Sequence, residues 1–249
     1  MDNSFRARLR RGDLLIGPML TLGLSEIAEI MAEAGHDWLF IDAEHGAFDP
    51  TRAQATLQAA GSGCPGVVRL PSTEEVWIKK FLDIGAAGVI APQVNSAAQA
   101  ARVVQLCKCA PEGTRGVGLA RAHVYGLSFQ DYIENANEQV AVIVQAEHRD
   151  AVEDIEAIVR VPGVDGILGG PYDLSASMGK PGAVYDLEVR SAIDRVRDAC
   201  FAAQIPVGYF GATVEAVRPY IDQGYTLIVA SVDSLLMGVG TKRLLEEIR

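Results

Sequence analysis

Acidic side chains stand at or just beyond the ends of three apolar runs. Asp42 and Glu44 close the first run and are followed at once by His45. Glu147 closes a second run, and Asp173 comes shortly after a third. Carboxylates without cysteines beside them are typical ligands of hard divalent cations. Because their runs are predicted neighbours, Glu147 and Asp173 are the predicted metal ligands.

Each of these acids also has a purely structural interpretation. Asp173 could cap a short helix at residues 174–178, and Glu147 could be a solvated strand end. An acid within an apolar run carries a large desolvation cost unless it is paired or bound to a metal. The three acidic positions together therefore favour a functional site in which the acids form a ring.

His45 follows Asp42 by three residues, in a predicted turn. An Asp–His pair can supply a base poised near neutral pH, in which the carboxylate orients the imidazole. The pair Asp42 and His45 is the predicted catalytic base. The alternative is a histidine that only forms hydrogen bonds within its loop.

Arg69 closes another apolar run, where its guanidinium can hold a carboxylate through two hydrogen bonds. The alternative, a salt bridge to one of the acids, is compatible with that role. Gln145 lies two residues before Glu147, so both side chains point to the same side of a strand. No lysine falls in a predicted strand, which argues against Schiff-base chemistry.

Strand-like and helix-like segments that alternate along the chain would position these residues. The predicted strands are residues 14–20, 38–42, 66–70, 87–94, 140–147, 164–168, 205–210 and 225–231. The predicted helices are residues 24–34, 50–60, 73–84, 97–109, 128–137, 150–161, 187–204, 213–223 and 235–248.

About eight βα units in 249 residues predict an α/β fold, a (β/α)8 TIM barrel with residues 1–249 as a single domain. Continuous apolar runs fit a parallel sheet that is buried on both faces. A doubly wound open sheet is the alternative, since it has the same alternation. In a barrel the strand ends meet at one rim, where active sites lie. Residues 111–127 are predicted to form a long loop that contacts substrate or another subunit.

Composition limits the classes of function. The net charge is -10, and the only basic cluster is Arg6, Arg8, Arg10 and Arg11, so the chain does not resemble a nucleic-acid binder. No apolar segment follows that cluster, as a signal peptide would require. No apolar run reaches the roughly 18 residues of a membrane span. The four cysteines show no disulfide or zinc spacing, so a cytoplasmic protein with reduced thiols is expected.

Four segments together resemble the HpcH/HpaI aldolase family, the metal-dependent class II pyruvate aldolases. They are residues 37–45 (DWLFIDAEH), 111–118 (PEGTRGVG), 144–147 (VQAE) and 169–175 (GGPYDLS). The resemblance covers nearly the whole chain in the same order. It implies a barrel that binds a divalent cation (Mg2+, Mn2+ or Co2+) through Glu147 and Asp173.

The resemblance also implies roles for single residues. Arg69 would bind the keto acid and polarise its enolate, and the Asp42–His45 pair would be the base. Gln145 would contact the substrate, as would Pro171, Tyr172 and Asp173 around the pyruvate carboxylate. The family commonly forms hexamers, so a homo-oligomer (hexamer or trimer) is expected, in which Asp83 reaches a neighbouring subunit's site.

Two segments depart from the family pattern. Tyr172 stands in LGGPYD, where many members have IGPAD or a similar string, so the rim is altered there. Residues 118–123 (GLARAH) differ from the best-known dicarboxylate-cleaving members. The aldehyde partner is therefore left open.

The expected function is a reversible cleavage of a 4-hydroxy-2-oxo acid into pyruvate, or a related 2-keto acid such as hydroxypyruvate, and an aldehyde. Its partners would be small molecules, with no nucleic acid and no membrane. One alternative is a citrate-lyase-like or malyl-CoA-lyase-like enzyme, which would need basic residues for the CoA phosphates. The other is a non-catalytic barrel that binds keto acids and would need no base.

Overall fold

The computed structural model describes residues 2–249 and contains a closed barrel of eight parallel strands in sequential order. The strands are β1 (Leu15–Leu20), β2 (Leu39–Asp42), β3 (Gly66–Arg69), β4 (Gly88–Ala91), β5 (Ala141–Ala146), β6 (Gly166–Gly169), β7 (Val207–Gly211) and β8 (Leu227–Val232). Four of them, β2 to β5, are buried at every position, as expected when side chains pack on both faces of a parallel sheet.

Helices surround the barrel and close one end of it. They are α1 (Phe5–Arg11), α2 (Ser25–Glu33), α3 (Pro50–Ala60), α4 (Glu75–Asp83), α5 (Ala97–Cys107), α6 (Phe129–Gln139), α7 (Arg149–Glu153), α8 (Ile155–Ile158), α9 (Pro171–Ser177), α10 (Leu187–Ala203), α11 (Val214–Asp222) and α12 (Asp233–Ile248). A 3-10 segment, Arg121–Gly126, precedes α6.

The closed ring confirms the predicted TIM barrel and excludes the open sheet, because β8 pairs with β1. The predicted helix at 150–161 is divided into α7 and α8, which meet at Asp154. Helix α1 was not predicted as an element. The assignment of residues 1–249 to one domain stays a prediction.

Helix α1 explains the arginine cluster at the start of the chain. Its apolar side packs into the barrel interior, where Phe5 and Leu9 join Trp38 in one buried cluster. Its basic side pairs with acids of the barrel: the Arg6 guanidinium lies 2.9 Å from the buried Asp165 carboxylate. These arginines therefore hold the helix as a plug over the amino-terminal end of the strands.

Strand register places the site residues at the opposite end. Asp42 and Arg69 are direct partners at the carboxyl ends of β2 and β3. Gln145 pairs with Leu168 near the ends of β5 and β6, just before Glu147 and α9. Neighbouring parallel strands thus bring residues that are far apart in sequence to one rim.

Residues 111–127 lie at the amino-terminal end of the barrel, because the segment joins the end of α5 to α6 before β5. The Arg121 guanidinium donates a hydrogen bond to the carbonyl of Ile84, ahead of β4. The loop therefore does not line the rim cavity of its own chain, so the predicted substrate contact is not formed within one chain. In residues 2–249 no helix has the length and apolar character needed to cross a membrane.

Candidate active site

A cavity of about 290 Å³ opens at the carboxyl ends of the strands. Seven of the predicted site residues line it: Asp42, His45, Arg69, Gln145, Pro171, Tyr172 and Asp173. A larger cavity of about 530 Å³ lies among segments that precede β6 and β7, at the opposite end. Volume alone therefore does not mark the site; the convergence of polar groups does.

Arg69 and Asp42 form a buried bidentate pair. Nε and Nη2 of Arg69 donate to the two carboxylate oxygens of Asp42 at 2.9 and 2.8 Å. Burial disfavours the charged guanidinium, but the hydrogen bonds and charge of Asp42 more than offset this and raise the pKa of Arg69. No hydrogen bond of the described residues uses Nη1, so its two N–H groups are available to a ligand in the cavity.

The Asp42 carboxylate also shapes the turn that carries His45. Its Oδ1 accepts the backbone N–H groups of Glu44 and His45 at 3.1 and 3.2 Å. The imidazole itself is 67% exposed, and its Nε2 lies 3.8 Å from a carboxylate oxygen of Glu44. Asp42 thus positions His45 through the backbone rather than through the ring, which differs from the predicted ring-to-carboxylate pair.

Close contacts hold this turn against the residues that follow β1 at the rim. Gly46 has no room for a side chain, since an added Cβ would clash with the carbonyl oxygen of Asp42 and lie 3.1 Å from Cα of Thr21. Thr21 donates its N–H and hydroxyl to the buried Asp233 carboxylate at 3.0 and 2.8 Å. Asp233 and Thr21, which the sequence analysis missed, therefore hold the loop against which His45 is placed.

Glu147 is buried beneath the cavity, with only 2% of its surface exposed. One of its carboxylate oxygens accepts the backbone N–H and the side-chain amide of Gln93 at 2.8 and 3.0 Å. The other accepts the amide of Gln145. Gln93 has a φ of 53°, which is uncommon outside glycine and aims both donors at Glu147. Gly170 packs so tightly here that an added Cβ would lie 2.7 Å from Cβ of Glu147.

The environment of Glu147 disfavours its negative charge. Burial, with a smaller contribution from the nearby Glu44 and Asp173, raises the pKa of Glu147 to about 7, although the N–H of Gln93 acts in the opposite direction. Burial also raises the pKa of Glu44. With Asp42 and Asp173, four carboxylates thus share the rim with one permanent cation, Arg69.

Asp173 lies in the first turn of α9, whose N-cap is Gly170. The carboxylate is therefore not an N-cap, contrary to the structural alternative considered above. It is exposed to the cavity and makes no hydrogen bond within residues 2–249. Pro171 precedes it, and the N–H groups of Tyr172 and Asp173 fall among those that lack an acceptor within the helix.

A divalent cation fits this donor set. Among residues 2–249, no group of three or more His, Cys, Asp and Glu side chains could hold a metal by itself. Cations such as Mg2+ commonly bind one or two carboxylates and take further oxygens from water and substrate. Glu147 and Asp173 supply two carboxylates, and Oε1 of Gln145 is a buried oxygen without a hydrogen-bond partner. A cation here would also offset the acidic excess of the rim.

Asp83 and the cysteines lie away from the cavity. Asp83 ends α4 at the amino-terminal side of the barrel, where burial raises its pKa and the charge of Arg115 acts in the opposite direction. It does not reach the cavity of its own chain, so its predicted role toward another subunit stays a prediction. All four cysteines are free and buried, as the spacing predicted.

Comparison with known proteins gives a consistent set of relatives. The HpcH/HpaI aldolase/citrate lyase family matches residues 20–238. A 4-hydroxy-2-oxovalerate aldolase from Rhodococcus jostii RHA1 is 39% identical, with 97% of this chain and 94% of the relative covered. A hydroxypyruvate/pyruvate aldolase from Paraburkholderia phytofirmans is 38% identical, with 99% and 98% covered.

Solved structures are similar to this chain over its whole length, as one example shows. A HpcH/HpaI aldolase/citrate lyase family protein from Burkholderia cenocepacia J2315 has a TM-score of 0.96 and 38% identity, with 100% of each chain covered.

The raised pKa of Glu147 predicts a pH-dependent cation affinity. A cation must displace the proton of this carboxylate, so Mn2+ affinity should rise about tenfold per pH unit below that pKa and level off above it.

The same pKa shift means that the metal-free native state keeps a proton that the unfolded chain releases. The contribution of Glu147 to metal-free stability is therefore present below pH 4.5 and lost as the pH rises through about 7.

Titration calorimetry with Mn2+ at pH 6 and pH 8 measures the pH dependence of the cation affinity. The dissociation constant should fall by about tenfold between the two, and Glu147→Gln should bind weakly at both. Glu33→Gln, which makes the same change at an exposed acid at the end of α2, is the matched control. Equal dissociation constants of the wild type at both pH values would contradict the assignment.

Proposed function

The chain belongs to the HpcH/HpaI aldolase/citrate lyase family, and we propose that it reversibly cleaves a 4-hydroxy-2-oxo acid into pyruvate, or a related 2-keto acid such as hydroxypyruvate, and an aldehyde. The names of the two relatives above support this substrate class. The proposal rests mainly on one arrangement of side chains in the rim cavity. This cavity is lined by the free N–H groups of Arg69, the exposed His45 ring and the Asp173 carboxylate, and Glu147 is buried beneath it.

We propose that Glu147 and Asp173 hold a divalent cation, Mg2+, Mn2+ or Co2+. Bound there, the cation would supply Lewis-acid polarisation of the keto oxygen of the substrate. Gln145 orients Glu147 through its amide, and its unpartnered Oε1 is free to accept a hydrogen bond from a water molecule or a substrate hydroxyl.

The residues around the cation site would bind and orient the keto acid. Its carboxylate would lie at the start of α9. There the N–H groups of Tyr172 and Asp173 have no acceptor within the helix, and Pro171 has no N–H group. Nη1 of Arg69 would donate to the oxygen on which negative charge develops. Asp42 holds the guanidinium in that orientation, so the donor is already in place when the charge forms.

His45 is the proposed base. In the direction of synthesis, the proton leaves the methyl carbon of pyruvate, and His45 takes it directly or through water. The new bond then forms between that carbon and the carbonyl carbon of the aldehyde, whose oxygen gains a proton. That proton can return from His45 or come from water, no external oxidant or reductant is needed, and cleavage is the reverse. The exposed ring can exchange its proton with solvent between turnovers.

The other candidate functions have less support. Arg69 is the one permanently charged cation among the residues that line the cavity, and Asp42 already binds it. The phosphates of CoA would need additional cations, so the acyl-CoA lyase alternative is disfavoured. A barrel that only binds keto acids would not need an exposed histidine beside the acids. The free cysteines fit the proposed cytoplasmic location.

Helix α12 supports the proposal of a homo-oligomer, a hexamer or a trimer. Only Asp233 of this 16-residue helix is buried. Its large apolar side chains are 40–73% exposed: Leu235, Leu236, Met237, Val239, Leu244, Leu245 and Ile248. So long an apolar surface is typical of an interface between chains. Sedimentation should give a mass of several chains, and a monomer would contradict this proposal.

His45→Ala should slow the exchange of pyruvate methyl protons with deuterated water by about 10²–10⁴-fold, the usual contribution of a positioned base. Mn2+ binding should be retained, because His45 is not a proposed ligand. Proton NMR of pyruvate measures the exchange, and His36→Ala, at the end of α2 away from the cavity, is the control. Exchange at the wild-type rate in His45→Ala would show that another group is the base.

Arg69→Lys should raise KM and also lower kcat. Lysine keeps the charge but lacks the planar fork, so both the pairing with Asp42 and the contact to the developing oxyanion are lost. A purely structural salt bridge would instead give a lower melting temperature with near-normal kinetics. Both kinetic constants and the melting temperature, measured on one sample of the variant, separate these two roles.

A further inference from the structure

A second cavity adjoins the rim cavity and is not used by the chemistry described above. Its volume is about 390 Å³, and it lies between α9, α10 and α11. The two cavities share three lining residues, Pro171, Tyr172 and Phe210. The rings of Tyr172 and Phe210 meet edge to face, with their centroids 6.4 Å apart. This pair is therefore the partition between the two cavities.

The wall of the second cavity is rich in aromatic rings. Beyond the partition, Tyr209 and Tyr220 stack with their planes 16° apart, and the exposed Tyr185 stands at the mouth. Aliphatic side chains such as Val184 and Ile193 complete the lining. Faces and edges of aromatic rings bind another ring more favourably than an aliphatic chain of the same area.

The charges of the second cavity do not favour an acidic ligand. Its lining contains one arginine, Arg190, and two acids, Asp194 and Glu215. Asp194 is paired with Arg197, 2.7 Å away. There is thus no excess of positive charge to hold a second carboxylate, and a neutral group fits better.

We propose that the second cavity binds an aryl group on the aldehyde partner, so that the enzyme prefers aromatic aldehydes over short aliphatic and over acidic ones. This inference rests on the proposed aldolase function. The carbonyl group of the aldehyde would lie beside Arg69 in the rim cavity. The aryl ring of the aldehyde would extend past Tyr172 and Phe210 into the second cavity. Tyr172, which lines both cavities, would then set the preference of this chain.

The test compares three aldehydes with pyruvate in the presence of Mn2+: phenylacetaldehyde, acetaldehyde, which lacks only the phenyl group, and succinic semialdehyde. Wild-type kcat/KM should be at least about tenfold higher for phenylacetaldehyde than for either of the others, which is the scale of discrimination by an apolar pocket. A preference for the acidic aldehyde, or equal values for all three, would overturn the inference.

Two variants locate the preference in the second cavity. Tyr185→Ala removes a ring at the mouth, and Ala212→Trp fills space within it. Each should lower the ratio of phenylacetaldehyde to acetaldehyde kcat/KM by roughly three- to tenfold. Tyr185→Ala does so by removing an aromatic contact, and Ala212→Trp by occupying the space that the aryl ring needs. Leu187→Ala, an exposed neighbour of Tyr185 outside the cavity, should keep the wild-type ratio. An unchanged ratio in both cavity variants would place the preference elsewhere.

Pyruvate proton exchange separates this inference from the function on which it rests. Wild-type protein that exchanges the methyl protons but shows no preference for phenylacetaldehyde refutes the second-cavity assignment alone. Wild-type protein that neither exchanges the protons nor forms a product with any aldehyde refutes the aldolase proposal itself.

Discussion

The cost of burying the Glu147 carboxylate is the constraint on which the arrangement of the rim depends. The group is almost fully buried, and three further acids stand at the same rim with a single arginine. Gln93 and Gln145 supply hydrogen bonds to Glu147, but neither supplies charge. Isolated buried charges are expensive, so the group must hold a proton or face a cation. The proposed function follows from the state in which Glu147 faces a cation.

The barrel satisfies this constraint through its register. Closure of the ring brings the ends of β2, β3, β5 and β6 to one rim, and direct pairing of Asp42 with Arg69 fixes the guanidinium. The other end is sealed by α1, whose arginines pair with acids such as Asp165. Apolar packing and ion pairs thus stabilise one end of the barrel, while the opposite end retains unpaired polar groups for binding.

Much of this organisation could be predicted from the sequence because it depends on local patterns. Apolar runs that end in polar residues gave the eight strands and brought Asp42, Arg69, Gln145 and Glu147 to one rim. Gln93 follows β4 in the same way, so the same rule could have found it. The pattern could not show that Asp42 would bind Arg69 and the turn backbone rather than the imidazole.

Other features depend on contacts between distant segments or on shape. Asp233 holds Thr21 from 212 residues away, and only ring closure brings the two together. Helix α1 shows only one pair of large apolar residues at helical spacing, Phe5 and Leu9, and its contacts with the barrel interior involve Trp38 and other distant residues. The cavity beyond Tyr172 and Phe210 is formed by residues of three helices, of β7 and of the segment before α10. None of these contacts has a spacing signal in the sequence.

In the proposed mechanism, the acidic rim requires a divalent cation before a proton can leave pyruvate. The most direct measurement is the exchange of pyruvate methyl protons by wild-type protein stripped of metal, with the metal content checked by elemental analysis, before and after Mg2+ or Mn2+ is added. The stripped protein should show only the exchange of buffer alone, and the added cation should restore it. Full exchange by protein shown to contain no metal would contradict the account.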